Sequence, residues 1–194
     1  MPVIGLKLAV AAKVKTYTPG SPITYEGGKV IAKAIAANVT WNRVNNPLYA
    51  DDEISENDNG IIGGQITVNI DDLADEDAAM LFGLEKDASG DGYTETDAAA
   101  PYIGYGYIRV KVKGGEKSYQ AMWIHRAQFG ANAENSQTKG QQITWQTPEL
   151  VGEIMGAQID NTGTTKFRTR YTAATYEAAQ SWLYEKAGIS ECEI

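Results

Sequence analysis

Tyr102-Ile-Gly-Tyr-Gly-Tyr-Ile-Arg-Val-Lys-Val-Lys113, then Gly114-Gly115, then Glu116-Lys-Ser-Tyr-Gln-Ala-Met-Trp-Ile-His-Arg126, is the stretch that decides the fold. Ile108, Val110 and Val112 alternate with Tyr107, Arg109, Lys111 and Lys113, the period of two that sends successive side chains to opposite faces of a strand. A glycine pair between two such runs reads as a tight hairpin turn, because the turns that match strand twist need positive φ. The partner strand is expected over Lys117–Arg126. Gly104 and Gly106 lie among Tyr102, Tyr105 and Tyr107 without the spacing of a P-loop or a following Lys-Ser/Thr. They mark a bulge or a close backbone approach, not a phosphate cradle.

Working outward, the same alternation recurs. Ile4, Leu6, Leu8 and Val10 alternate with Gly5, Lys7 and Ala9, so the N-terminus reads as a strand with those four on one face. No basic residue precedes this apolar run and Lys7 interrupts it, which argues against a secretory signal and for synthesis in the cytoplasm. Strands are also expected from Val30 to Ala37, from Val39 to Val44, around Ile143 and Trp145, over Leu150–Gln158 and over Lys166–Tyr171. Ile66, Val68 and Ile70 against Gln65, Thr67 and Asn69 describe a strand with one wet face. Two segments have helical signals. Asp71 to Gly83 crowds acids into its first turn, where the helix dipole favours them, and ends on glycine. Thr175 to Gly188 has an N-capping threonine and a glycine stop, giving a C-terminal helix at about 175–187. The fold class is therefore mainly β with one or two α-helices (α+β), as a single domain over 1–194. Two long loops are expected, an acidic one at about 45–64 and one from Asp87 to Pro101.

The 194 residues carry a formal charge of −8. The charge is polarised: Asp51 to Asp97 holds 15 acids and one base, Lys86, leaving the remainder mildly basic. A chain of this kind lacks the basic footprint of a general nucleic-acid binder. The one cysteine, Cys192, excludes an intramolecular disulfide and a thiolate metal site, and reads as a tail residue. The one histidine, His125, alternates with Trp123, Ala121 and Tyr119, the pattern of a structural strand residue. Without a nucleophile–base set around it, no catalytic, cofactor-binding or metal-ligating residue is assigned and no enzyme is expected. No apolar run approaches the length of a membrane span.

The acids Asp51, Asp52, Glu53, Glu56 and Asp58 do not follow the oxygen order of a calcium loop. They are candidates for a channel lining or a subunit contact. Arg109, Lys111, Lys113 and Lys117 make a small basic edge that could complement them between subunits, head to tail.

The order of these segments carries a resemblance: an N-terminal strand, Val39-Thr-Trp41, Asn46-Pro-Leu-Tyr-Ala-Asp-Asp-Glu-Ile-Ser-Glu-Asn-Asp58, Gly63-Gly-Gln-Ile-Thr-Val-Asn-Ile-Asp-Asp-Leu73, a helix, and Gln142-Ile-Thr-Trp-Gln-Thr-Pro-Glu-Leu-Val-Gly-Glu-Ile154. From about Val3 to Gly188 the chain resembles the major tail proteins (tail tube proteins) of long, non-contractile-tailed bacteriophages and prophages. The resemblance implies a β-sandwich or barrel core with a flanking helix and long assembly loops. It also implies a virion protein that forms stacked homo-hexameric rings around a tape measure protein, bounded by tail tip or baseplate and tail terminator proteins. DNA would be a passing cargo; the family supplies no catalytic position.

Two other readings stay open. One is a different head–tail or tail-completion component. The other is a small β-sandwich binding module presenting Tyr102, Tyr105, Tyr107 and Tyr119 on an exposed face.

Overall fold

The structure is a computed structural model that describes residues 2–50, 53–131 and 147–189. The chain is mainly β with two helices. Its strands are β1 (Val3–Thr16), β2 (Thr24–Val30), β3 (Ala34–Arg43), β4 (Asn46–Ala50), β5 (Glu53–Asp58), β6 (Ile61–Ile70), β7 (Glu85–Lys86), β8 (Tyr93–Thr94), β9 (Tyr102–Lys113), β10 (Glu116–Ala131), β11 (Glu149–Ile154) and β12 (Arg168–Ala173). The helices are α1 (Asp75–Phe82) and α2 (Tyr176–Ala187).

Antiparallel pairing runs β2-β1-β9-β10-β11-β6-β3. The β9–β10 hairpin is its spine, with Lys113 opposite Glu116 across Gly114 (φ 61°) and Gly115 (φ 88°), the backbone the glycine pair predicts. On its other edge β10 changes partner. Tyr119–Ile124 pair with β12, Ala127–Ala131 pair with β11, and the register to β9 shifts between Ile124 and Ala127. This lets the β11-β6-β3 portion fold over the β1-β9-β10 portion. Ile66, Val68, Ile70, Leu150 and Ile154 meet Tyr105, Tyr107, Met122, Ile124 and Phe129 between them.

α2 covers the opposite face of β1, β9 and β10, where Val10, Ile108, Ala121 and Trp123 pack on Ala179, Leu183 and Ala187. These three strands are thus apolar on both sides, and Ala9–Ala12 and Ile103–Ile108 are continuously buried. Trp123 lies against the backbone of β9: a Cβ at Gly104 would come within 2.5 Å of its ring, and one at Gly106 within 2.7 Å. Close approach, not a turn, is what both glycines provide.

The structure corrects several expectations. Leu6 packs in the core between the sheets, whereas Leu8 and Val10 face α2. A register shift between Lys7 and Ala9, with Leu8 at φ 52°, inserts one residue and exchanges the faces. α1 starts at Asp75, not Asp71. The Asp71 carboxylate instead accepts from the Lys33 and Asp72 amides and Asp72 from that of Leu73, so short side chains capture the backbone in a turn. The loop expected at 45–64 is a β4–β5 hairpin running into β6. Its acidic, asparagine-rich composition disfavours strands, yet pairing satisfies the main-chain groups that each strand turns towards the other. A second small hairpin, β7–β8, interrupts the loop expected from Asp87 to Pro101. The strand expected around Ile143 and Trp145 lies outside the described residues, as does Cys192.

Candidate functional site

The β4–β5 hairpin pairs Asn46 with Asp58 and Leu48 with Glu56 as a separate two-stranded sheet. Among the described residues neither strand packs extensively on another element. An isolated two-stranded hairpin is marginal in water, so this arm has little in its own subunit to hold it. Glu53 opens β5, and Glu56 and Asp58 are exposed, with Asp58 accepting from the Gly60 amide at 3.1 Å. Asp51 and Asp52 lie outside the described residues.

The predicted basic edge divides between two faces. Arg109, Lys111 and Lys113 share the face of Tyr107, and Arg109 donates to the Tyr107 hydroxyl at 3.3 Å. Lys117 stands opposite Val112, and hence on the other face of the sheet. Sequence reading expected a strand over Lys166–Tyr171, now β12 (Arg168–Ala173), but missed that its basic residues join those of β9 on one face. Its Arg168 and Arg170 stand opposite Ile124 and Met122 of β10, so they share the face of Arg109. Arg168 lies 5.0 Å from the Trp41 ring centroid. Burial, together with the nearby Arg170 and Arg109 charges, disfavours its protonated form. Among the described residues no salt bridge engages Arg109, Lys111, Lys113, Arg168 or Arg170. Alternation within Arg168-Thr-Arg170 was the available signal, but that Arg109, about 60 residues earlier, shares its face is invisible without the pairing.

A third feature is the outer face of β3-β6-β11. Asn38, Thr40, Gln65, Thr67, Asn69, Glu149 and Glu153 point away from the core, and the Gln65 amide donates to Glu153 at 2.9 Å. This face is polar, with two acids and no base among these residues. Three register shifts also leave isoleucines at bulged positions: Ile4 in β1, Ile35 in β3 and Ile62 in β6, each more than half exposed.

The tyrosine face of the binding-module reading is overturned. Tyr105 and Tyr107 are fully buried between the sheets, and Tyr119 packs beside Tyr176 under α2. Their neighbours in β9 and β10 alternate faces, so the four do not form one exposed strip. His125 is buried and its Nε2 lies 2.8 Å from the Thr169 hydroxyl. Burial, aided by Lys186 and Lys166, lowers its pKa to about 4, so it is neutral at pH 7. Among the described residues no cluster of three or more His, Cys, Asp or Glu could hold a metal ion, and no helix is long and apolar enough to cross a membrane.

No protein-family model matches the chain, and no curated protein matches it.

Proposed function

We propose that this chain is the structural subunit of a phage tail tube, assembling as stacked hexameric rings around a tape measure protein to form a channel for DNA. The observation that carries this reading is the acidic β4–β5 arm, a two-stranded sheet of its own that, among the described residues, packs extensively on no other element. Such an arm finds its stabilisation in a neighbour. The outer face of β3-β6-β11 supports the same reading: Glu149 and Glu153 among its Asn, Gln and Thr side chains repel phosphates, which favours passage of a polyanion over adhesion. Among the described residues β2, β3 and β12 each pair on one side only, and edges of this kind are natural sites for strand addition between copies.

Negative-stain microscopy of the concentrated protein tests the proposal, alone and with the tape measure and tail tip proteins of its own gene neighbourhood. Open tubes or six-fold rings are expected. A monomer at every concentration, with and without those partners, overturns it; a single ring that never stacks points to a tail-completion protein.

A further inference from the structure

The two unsatisfied features described above match each other in chemistry and dimensions. β12 pairs with β10 alone, and its outer edge carries no strand among the described residues. β5 pairs with β4 alone, leaving its outer edge equally open. Both strands are six residues long. Arg168 and Arg170, two apart, present one cationic face, reinforced by Arg109 across β10. Glu56 and Asp58, also two apart and exposed, present the same spacing with opposite sign. Among the described residues no carboxylate pairs with these arginines; Arg168 is half-buried against Trp41 and Arg170 is exposed, open to an anion from another copy.

We infer that the outer edge of β12 accepts β5 of a second copy, extending the sheet by strand addition and setting Glu56 and Asp58 against Arg168 and Arg170. Main-chain bonds supply the attachment, and the charge pattern selects partner and register. The inference rests on the self-assembly reading above and names the surfaces through which copies meet.

Two experiments on the full chain test it. In a Cys192→Ser background, Glu56→Cys or Asp58→Cys protein is mixed with a longer-tagged Arg170→Cys protein and oxidised. A covalent heterodimer is expected from at least one of the two β5 positions, and not from a Ser89→Cys control. Separately, Asp58→Lys is expected to raise the concentration needed for assembly about tenfold or more in sedimentation velocity, and adding Arg170→Asp to the same chain is expected to restore it. Arg170→Gln, which keeps the side-chain stem, serves as the milder variant if reversal unfolds the protein by circular dichroism. Rings or tubes that form without the cross-link, and with unchanged concentration dependence in the charge variants, overturn this pairing while leaving self-assembly standing. Cross-linked pairs that never progress to rings sustain the pairing and sink the tube reading. If the wild-type protein retains a 20-nucleotide single strand, and Arg170→Gln abolishes that retention but not assembly, the arginines serve nucleic acid and the inference fails.

Discussion

Trp123 shows how much of this fold depends on single residues. Its indole donates to the Tyr25 hydroxyl at 3.2 Å, and that hydroxyl donates onward to the His125 carbonyl at 2.9 Å. The ring needs the bare backbone of Gly104 and Gly106 beneath it, with Leu183 of α2 also closing on Gly106. Gly106→Ala should therefore cost about 1–3 kcal/mol through overpacking, read as a lower urea midpoint with an unchanged slope. His125 makes a second prediction at this scale. Its pKa is about 4 in the folded chain against an ordinary 6.5, so the unfolded chain takes up a proton in that interval that the folded chain refuses. Stability should accordingly be flat for this group above pH 6.5, fall as pH drops towards 4, and level off below. Comparing urea midpoints of wild type and His125→Gln across pH 8 to 4 isolates the effect from the carboxylates, because the difference between the two proteins, not either curve, should slope. A pH-independent difference would show that His125 does not titrate in this way.

Elements differ in how openly the sequence declares them. β6 was legible because one face is wet: Gln65, Thr67 and Asn69 stay outside while Ile66, Val68 and Ile70 go in. α2 was legible because its ends are chemical. The Thr175 hydroxyl accepts from the Ala178 amide, and Gly188 adopts φ 69° at the C-terminus. β1 concealed its arrangement, since Leu8 lies at a bulge that no periodicity announces and both faces of the strand are apolar. The β4–β5 hairpin concealed its own for the opposite reason. Its run of Asp, Glu and Asn shows no alternating hydrophobic pattern, while main-chain pairing makes the sheet. Deleting Asn46–Gly60 with a short glycine–serine bridge should leave the eight-stranded sheet folded, with the near-wild-type thermal midpoint of an arm outside the core. The same variant should fail to assemble in sedimentation. A collapse of the midpoint would show that the arm supports the core.

At the scale of the whole molecule, acids and bases are segregated. Acids concentrate on the arm and on α1, where Asp75, Glu76 and Asp77 occupy the first turn and favour the helix dipole. Bases gather on the common face of β9 and β12. The sequence made the polarity visible but not its geometry, because Arg109 and Arg170 become neighbours only when β10 lies between them. If assembly draws on this complementarity, raising sodium chloride from 50 mM to 1 M should shorten the Debye length to about 3 Å and weaken association. Dynamic light scattering across that range should show particles shrinking towards the monomer. Particles that grow with salt would point instead to apolar contacts, such as the exposed isoleucines at positions 4, 35 and 62.

One strand ties these scales together. β10 is laced to β9 along one edge and to β12 and then β11 along the other. A pull along its axis loads many backbone bonds in shear at once, whereas a pull across it would peel them one at a time. A chain built on such a strand should be mechanically anisotropic, stiffest along β10. A column of these subunits would resist stretching along that direction more than it resists bending.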